Sequence, residues 1–517
     1  MINRIISFWK KYILFLPLIL YAGERSLIAY DEGIYVLQAK WILENNNWIA
    51  PMKWGTVMND RTIGIQFLIA LSQKMFGENL FAAYIPNIFF GSLMIYLTYE
   101  LHKVLTNKDW PIISSIILCT TFLWINYFHM ATQDIIFGSI TTLGIFGSIK
   151  AYKTEKKIYF FIAGLWIGLA VMLKTYLVFI PLIAILPFLY KQKIYSRLEF
   201  WIGLIIGFLP FSIWSVQIIS IHGWESFKGI YEKLLILSGN NEFSNPFFYY
   251  AWNFTLNLLP WTVFSIIGFL NSRKNSDPLC NYFLFKYPLI VITLLSIFST
   301  KTPYYPIQIL SITSINAYLG ISSIFNEKNL LIKLFRKILF TIFPILLLMI
   351  IFYANKNQSL IDINRELIIV INISIIIFSI CWLKINNTIF FKRKIILLIL
   401  GPYLMTSLLV QSGFFNDRSK EIRIEAQSIV KKLNLADKKV EIITSGLTNE
   451  LSTKKIIKIS LFMPKIGNGL RTIDELSINE YAWVSSRDKK TEENKNYSLV
   501  YESKKLKPWK LIRKNKD

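Results

Sequence analysis

Long apolar runs recur along the chain up to about residue 411, and they constrain the fold more than any other feature. Most are near 18 to 25 residues, about the length at which a helix crosses 30 Å of hydrocarbon. Backbone polar groups in lipid must bond within their own segment, so each run is predicted to be a helix. We predict thirteen membrane spans, at 12–30, 82–102, 110–128, 133–151, 158–173, 175–190, 198–220, 250–270, 283–299, 303–325, 335–353, 366–384 and 394–411.

The composition agrees with a membrane protein. Only 17% of the residues are charged, against about 25% in soluble proteins. The net charge of +25 would suggest a nucleic-acid partner, but Lys and Arg occur in short clusters between apolar runs and not on one basic face, which argues against it. The three cysteines form no CxxC motif or disulfide scaffold, and the three histidines are too scattered for a metal cluster.

The basic clusters also predict the orientation. With Arg4, Lys10 and Lys11 in the cytoplasm, the basic clusters of six short connections fall on the inner side, as the positive-inside rule requires. The first run is expected to be a retained anchor, because no small-residue cleavage site follows it. The weakest assignment is the pair of spans around Lys174, which is either a broken hairpin or a single span; a single span would invert everything downstream, and the charge asymmetry favours the hairpin.

These assignments divide the chain into a membrane domain, 1–411, and a C-terminal domain, 412–517. An odd number of spans puts the C-terminal domain on the extracytoplasmic side, together with two long connections at about 31–80 and 221–250. The C-terminal domain is polar and Lys-rich, and its alternating stretches, such as 440–444 and 456–462, predict strands. The predicted fold class is therefore mainly α, a polytopic membrane protein of about thirteen helices with a small α/β or α+β extracytoplasmic domain.

Acidic residues occur where two predicted spans meet the outer boundary. Asp31 and Glu32 follow the first span, and Asp134 opens the fourth, so all three fall on one face. Ionisable residues at membrane depth are costly and are candidates for function. The structural alternative is helix capping, since acidic residues favour the first helical turn and Thr132 or Asp134 could act as an N-cap.

Isolated cations lie at the same predicted boundary, against the positive-inside bias. They are Arg61 beside Asp60, Lys174, Lys233 and Lys301. Each alone could be a lysine or arginine that snorkels to the interface. Together, a basic site at bilayer level suits the phosphate of an anionic lipid.

With these residues the sequence resembles the C-type (GT-C) integral-membrane glycosyltransferases that use polyprenyl-phosphate sugars, in the branch of the lipid A aminoarabinose transferases and protein O-mannosyltransferases (family 39-like). The motifs, in the expected order, are Asp31-Glu32 with Tyr35 and Asn47-Trp48…Pro51, then Asp134, Gly164 to Ala170 with Lys174, Tyr249-Tyr250…Leu259-Pro260-Trp261, and Lys301…Tyr305-Pro306. One departure concerns Asn59-Asp60-Arg61-Thr62-Ile63, where the aminoarabinose transferases typically have Phe-Glu-Lys-Pro-Pro. The acid-then-base order is kept and the double proline is lost.

The resemblance implies an enzyme of the bacterial inner membrane that transfers a pentose or hexose from a polyprenyl-phosphate donor to a lipid A-like acceptor, with inversion at the anomeric carbon. It implies three sets of site residues: catalytic Asp31, Glu32 and Asp134; donor-phosphate-binding Arg61, Lys174, Lys233 and Lys301; and substrate-binding Tyr35, Asp60, Tyr304 and Tyr305. The expected partners are membrane lipids, the lipid-linked sugar and a lipid or glycan acceptor.

Several alternatives stay open from the sequence. A protein O-mannosyltransferase-like enzyme differs only in its acceptor. A lipid-linked-sugar flippase would have a similar number of spans, but it predicts ionisable residues near the middle of the bilayer, whereas here they cluster at the outer boundary. No metal or other cofactor is required by the motifs, although a divalent ion bridging Asp31, Glu32 and Asp134 is an alternative.

Overall fold

The computed structural model describes residues 11–58, 60–239, 244–327, 329–356, 365–436, 438–447, 450–486 and 497–515. Arg4, Lys10, Asn59 and most of the Lys/Asn-rich stretch 485–497 lie outside the described residues. The helices, numbered in chain order, are α1 Leu16–Ile19, α2 Ile34–Asn45, α3 Gly64–Phe76, α4 Leu80–Thr106, α5 Pro111–Thr120, α6 Phe122–Phe128, α7 Gln133–Thr154, α8 Lys157–Lys174, α9 Phe179–Lys191, α10 Leu198–His222, α11 Glu225–Ser238, α12 Tyr249–Asn257, α13 Thr262–Ser272, α14 Pro278–Asn281, α15 Tyr287–Ile297, α16 Leu310–Asn326, α17 Leu330–Lys356, α18 Arg365–Asn386, α19 Phe391–Gln411, α20 Lys420–Lys432 and α21 Glu450–Ser460.

The predicted membrane architecture is confirmed. Within the described part of the chain, nine helices are long and apolar enough to cross a membrane, and eleven do so if each of two sharply bent pairs counts as one span. The protein is therefore an integral membrane protein. The count is below the thirteen predicted, and two segments account for the difference.

The first difference is the segment at 12–30, which is not one continuous helix. The described helix ends at Ile19, and Leu20 is extended. Residues 20–28 contain no helical turn, and Tyr30 and Asp31 are also non-helical, so continuous helical backbone begins only after Asp31. The segment is apolar, as predicted, but its composition did not reveal that Arg25 lies in non-helical chain between two helices.

The second difference is the segment Lys157–Lys191, which is long enough to count as one helix of 35 residues. It breaks at Thr175, whose backbone has φ 35° and ψ −100°. After the break α9 returns, so that the Phe188 ring lies 6.0 Å from the ring of Tyr152 at the end of α7. Lys157 at the other end pairs with Glu199 at 3.5 Å. Both ends therefore lie on one side and Lys174 on the other, as the hairpin prediction requires.

Two broken spans meet inside the membrane domain. α5 and α6 are bent by 66°, and α12 and α13 by 119°. At the two breaks the Phe122 N–H donates to the Leu259 carbonyl at 3.1 Å, and the Trp261 indole N–H donates to the Thr120 hydroxyl at 2.9 Å. Non-helical backbone at membrane depth is tolerated where the protein buries it and provides hydrogen-bond partners. Here the two breaks provide hydrogen-bond partners for each other.

The strands are β1 Met52–Lys53, β2 Thr56–Val57, β3 Lys439–Ile442, β4 Lys465–Ile466, β5 Tyr481–Ser485, β6 Tyr497–Tyr501 and β7 Trp509–Lys514. The last five form one mixed sheet in the order β4-β3-β5-β7-β6. Strand β3 pairs in parallel with β4 and β5, and β7 pairs antiparallel with β5 and β6. The strand expected at 440–444 is close to β3, but the strand expected at 456–462 was wrong. That stretch belongs to α21, whose buried Ile456, Ile457, Ile459 and Ser460 follow helical spacing.

The C-terminal domain covers the segment that follows the first helix. The Lys454 ammonium of α21 lies 5.2 Å from the centre of the Tyr30 ring, and the backbone N–H of Ile466 donates to the carboxylate of Glu44 at 3.0 Å. A Cβ atom on Gly33 would come within 2.6 Å of the Ile28 carbonyl and 3.0 Å of Ile457, so only glycine permits this close approach. The domain therefore lies over Asp31 and Glu32.

Candidate active site

Asp31 lies in a tight turn between the first helical segment and α2. Its backbone has φ 58° and ψ −85°, a conformation that costs a non-glycine residue about 1–3 kcal/mol and is found mostly at functional sites. The Ile34 N–H donates to the Asp31 carbonyl and closes the turn. The Asp31 side chain is exposed.

Glu32, which we predicted to be catalytic, is buried and occupied by hydrogen bonds in the structure. It is only 1% exposed, and its carboxylate accepts hydrogen bonds from the Ile28 N–H at 3.0 Å, the Ala131 N–H at 3.0 Å and the Tyr84 hydroxyl. These bonds join the turn to α4 and to the residues that precede α7. Because adjacent residues of a turn point in different directions, Glu32 anchors the turn while Asp31 remains accessible.

Asp134 and Lys174 form a buried ion pair. Asp134 is in the first turn of α7 and Lys174 is the last residue of α8; their side chains are each 7% exposed. The capping alternative does not describe this residue, because the helix start at Thr132 has no side-chain cap. The carboxylate of Asp134 is instead bound by the ammonium group of Lys174.

The rings of Tyr304 and Tyr305 pack around the ammonium group of Lys174. The Lys174 ammonium lies 4.7 Å from the centre of the Tyr304 ring and 5.4 Å from that of Tyr305, a distance at which the faces of aromatic rings attract a cation. The Tyr127 ring packs against Tyr304 at 5.2 Å. Tyr127 was not predicted, although its position seven residues before Asp134 on the same outer boundary was a usable signal.

A second charged cluster consists of Asp60, Arg61 and Lys233. Arg61 binds the Asp60 carboxylate through two nitrogens, at 3.0 Å and 2.7 Å, and the Lys233 ammonium binds the same carboxylate at 2.7 Å. Burial disfavours the charge on Asp60, but Arg61 and Lys233 outweigh burial and hold the pKa of Asp60 well below its usual range. The Arg61 guanidinium also lies 5.2 Å from the centre of the buried Tyr35 ring, whose hydroxyl accepts a long hydrogen bond from Gln133.

The segment that replaces the family's double proline holds this second cluster against the first. The Thr62 hydroxyl donates to the Met172 carbonyl near the end of α8 at 2.7 Å. A Cβ atom on Gly64 would come within 2.4 Å of the same carbonyl. A hydroxyl bond and a glycine thus fix Arg61 near Lys174 without the two prolines.

The carboxylate of Asp31 interacts electrostatically with both clusters. Crowding by protein atoms raises the pKa of Asp31, and the neighbouring Asp134 raises it further. Arg61, Lys174 and Lys233 act in the opposite direction and lower it. The structure therefore brings Asp31, Asp134, Asp60 and three of the four predicted cations into one site.

Lys301, the fourth predicted cation, differs from this expectation. It is 4% exposed, and its ammonium donates to the main-chain carbonyls of Asn245 at 2.8 Å, Phe298 at 2.5 Å and Ser299 at 3.4 Å. Three carbonyls use all three of its N–H donors. In the structure Lys301 therefore braces the two loops that precede α12 and α16.

An apolar groove of about 750 Å³ begins beside the second cluster. Helices α8 to α11 line it, and α11 carries both groove residues, such as Ile230, Tyr231 and Leu234, and Lys233. The groove continues to Tyr190 and Tyr195, whose stacked rings lie 5.7 Å apart near the opposite ends of the helices. It therefore runs along the membrane helices from the charged site.

The chemistry of the acids does not favour a metal site. Within the described residues, no three His, Cys, Asp or Glu side chains are grouped so that they could hold a metal ion. The alternative of an ion bridged by Asp31, Glu32 and Asp134 does not fit, because the carboxylate of Glu32 is occupied by Tyr84 and two backbone N–H groups.

Comparisons with known proteins give similarities in sequence and in fold. Residues 60–216 match the family of dolichyl-phosphate-mannose-protein mannosyltransferases. An undecaprenyl phosphate-alpha-4-amino-4-deoxy-L-arabinose arabinosyl transferase of Pseudomonas fluorescens is 24% identical over 287 residues, 53% of this chain and 49% of the relative. The alignment thus spans about half the length of that relative.

Among solved structures, ArnT from Cupriavidus metallidurans in the apo state has a TM-score of 0.76 and 11% identity, and covers 99% of this chain and 98% of its own. The same protein bound to undecaprenyl phosphate gives a TM-score of 0.73. These structures show the fold. With the partial family match and the arabinosyl transferase relatives, they show that this chain is similar to the integral-membrane glycosyltransferases, and in fold to an aminoarabinose transferase.

Proposed function

We propose that this protein transfers a sugar from a polyprenyl-phosphate donor to a lipid A-like acceptor, at the extracytoplasmic face of the bacterial inner membrane. One observation carries the proposal: an exposed Asp31 lies between two cationic clusters beside a groove that runs along the membrane helices. The C-terminal domain, which lies over Asp31, is then extracytoplasmic, and a cytoplasmic N-terminus requires that the interrupted segment 12–30 crosses the membrane. The names of the arabinosyl transferase relatives favour a pentose over a hexose as the sugar.

The donor would bind along the groove with its phosphate at the second cluster. A polyprenyl chain is apolar and matches the groove lining, and α11 joins that lining to Lys233. Arg61 and Lys233 hold the carboxylate of Asp60 at 2.7 Å, so the same two cations can hold a phosphate oxygen instead. Arginine is well suited to this exchange because its fork of N–H groups binds either anion in a bidentate manner.

The reaction would be a single displacement at the anomeric carbon. The acceptor oxygen forms the new glycosidic bond while the bond to the donor phosphate breaks, which inverts the configuration. Negative charge grows on the leaving phosphate, and preorganised cations in a site poor in water stabilise it. Arg61, Lys233 and Lys174 supply that charge, and we expect no metal to be required.

Asp31 has one of two roles, depending on the acceptor. With a hydroxyl acceptor, its carboxylate removes the proton, a step that contributes about 10²–10⁴ in rate. With a phosphate acceptor, the nucleophile is already an anion, and Asp31 orients the sugar by accepting hydrogen bonds from its hydroxyl or amino groups. In both roles the carboxylate has to be charged.

The test is a transfer assay with purified protein in nanodiscs. Undecaprenyl-phosphate aminoarabinose and lipid A are supplied, and the product is identified by mass spectrometry. The expected result is a lipid A species heavier by one aminoarabinose, formed by the wild type and lost in Asp31→Asn. A folded wild type that forms no product would overturn the proposal for this donor and acceptor.

The protein O-mannosyltransferase alternative has one observation in its favour, the family match over residues 60–216. A second reaction with polyprenyl-phosphate mannose and a Ser/Thr-rich peptide tests it directly. Mannosylated peptide, with lipid A unchanged, would assign the hydroxyl acceptor and the hexose.

A further inference from the structure

A polar cavity of about 460 Å³ lies between the membrane domain and the C-terminal domain, apart from the residues of the charged site. Its walls come from the extended segment that contains Arg25, from Lys40 of α2 and Gln73 of α3, from the start of α4, and from residues 461–464. Phe81 at its edge is 46% exposed. The cavity therefore opens where the apolar surface of α4 begins.

Arg25 in this cavity has unused hydrogen-bonding capacity. It is 4% exposed; one terminal nitrogen donates to the Asn416 side chain at 2.6 Å, and Tyr84 and Glu32 interact with the guanidinium electrostatically, but Nε and Nη2 have no partner in hydrogen-bond geometry. Its guanidinium lies 4.2 Å from the centre of the Tyr84 ring and 5.8 Å from that of Phe81. Two buried N–H donors of a cation without acceptors are costly, so their retention points to a ligand.

The N-terminus of α4 lies at the same place. α4 has 27 residues and is capped by Asn79, whose side chain accepts from the Ala82 N–H. The N–H groups of Leu80 and Phe81 have no partner in helix geometry, and both residues line the cavity. The positive end of a long helix dipole therefore adds to the charge of Arg25 and favours an anion.

Two further side chains in the cavity indicate which chemical groups the ligand carries. The Lys40 ammonium lines the cavity, donates to the Met463 carbonyl and lies 4.0 Å from the Glu44 carboxylate, so its charge is partly balanced, but it retains further N–H donors. The side-chain oxygen of Gln73 is buried without a partner, which suits a hydroxyl donor. Two carboxylates also line the cavity: Glu24 is paired with Arg423, and Glu78 is exposed beside the start of α4.

From these contacts we propose that the cavity is a binding site for a lipid headgroup that carries a phosphate and a neighbouring hydroxyl. The phosphate binds Arg25 and the first N–H groups of α4, the hydroxyl binds Gln73, and the acyl chains lie against the apolar surface below Phe81. The site is separate from the cations proposed for the donor phosphate. Its occupancy does not require turnover, so the proposal stands or falls independently of the proposed reaction.

The experiment measures lipid binding to the full-length protein in an uncharged detergent by native mass spectrometry. The probes are phosphatidylglycerol, phosphatidic acid, uncharged diacylglycerol and inorganic phosphate. We expect phosphatidylglycerol to bind more tightly than phosphatidic acid, because only its glycerol reaches Gln73, and diacylglycerol not to bind. Inorganic phosphate that binds as tightly as the lipids would show a free-anion site and overturn the lipid assignment.

Arg25→Gln should weaken phosphatidylglycerol binding at least about tenfold, because it removes a buried charge-assisted contact. Lys74→Gln changes a lysine that is exposed on α3 and does not line the cavity, and should have no effect. Equal losses in both variants would indicate non-specific attraction and overturn the proposal.

Glu78→Gln keeps the test decisive if Arg25→Gln does not fold. It removes an exposed negative charge beside the phosphate and should tighten phosphatidylglycerol binding by about two- to threefold, the scale of an exposed charge interaction. An unchanged dissociation constant in a folded Glu78→Gln variant would contradict a phosphate at this position.

Discussion

The two charged clusters around Asp31 are built differently. Lys174 and Asp134 lie at the ends of long membrane helices, are each 7% exposed and pack against tyrosine rings. Arg61, Asp60 and Lys233 lie on a loop and a shorter helix outside the membrane spans, and are 20–32% exposed. Separating a buried ion pair that two membrane helices hold in place costs much free energy, so we call Lys174 and Asp134 the rigid cluster. Partly exposed cations can exchange one anion for another, so we call Arg61, Asp60 and Lys233 the exchangeable cluster. We therefore expect the first cluster to set the electrostatic field around Asp31 and, under the proposed function, the second to bind the donor phosphate.

The largest expected effect comes from removing the carboxylate of Asp31, which interacts electrostatically with both clusters. Asp31→Asn should lower kcat by about 10²–10⁴ if the carboxylate is a general base, with little change in donor binding or thermal stability. Single-turnover transfer and a melting curve measure the two quantities. Glu225→Gln, an 80% exposed side chain paired with Lys228, is the control. Wild-type turnover by a folded Asp31→Asn would remove Asp31 from the mechanism.

The second prediction breaks the rigid cluster. Lys174→Gln leaves the carboxylate of Asp134 buried and unpaired, which typically costs about 3–5 kcal/mol. The variant should lose both activity and thermal stability. The double variant Lys174→Gln/Asp134→Asn should recover much of the stability but not the activity. A single variant as stable as the wild type would show that this cluster is not the rigid one.

The third prediction addresses the exchangeable cluster. Lys233→Gln removes a partly exposed ion pair, and such pairs contribute about 0–1 kcal/mol to stability. Its melting temperature should stay near that of the wild type, while KM for the donor rises about tenfold as one phosphate contact is lost. Raised salt should reduce the difference between the two proteins. A fall in kcat with unchanged KM would instead give Lys233 a role in the transition state.

The sequence allowed prediction of the membrane helices and of the residues that meet at the site. Apolar length is a property of composition, so α4, α7 and α17 to α19 lie close to the predicted spans. Charged residues at span ends are costly, so Asp134, Lys174 and Arg61 could be recognised without tertiary information. The hairpin at Lys174 was predicted from the charge asymmetry of the connections, which a single span would have inverted.

The finer assignments depended on backbone geometry that composition does not encode. Asp31 and Glu32 are adjacent, and only the positive φ of Asp31 decides which of them remains accessible. Lys301 has the residue type of a phosphate ligand, but a loop 56 residues earlier supplies one of its carbonyl partners. Residues 456–462 are rich in isoleucine, which favours strands locally, yet packing over Gly33 requires a helix there.

The smallest predicted effect is a shift in the pH dependence of activity, which depends on how both clusters affect the protonation of Asp31. Crowding by protein atoms and Asp134 raise the pKa of Asp31, so its carboxylate becomes charged at a higher pH than that of an ordinary aspartate. Because either role of Asp31 needs the carboxylate, kcat/KM should rise with pH through that raised pKa. Asp134→Asn removes the like charge and releases Lys174, and both changes lower the pKa of Asp31. The acid limb of the pH profile should therefore move to lower pH in Asp134→Asn and stay in place in Glu225→Gln. A limb that does not move in Asp134→Asn would mean that the rigid cluster does not set the field at Asp31, and that the exchangeable cations act on it alone.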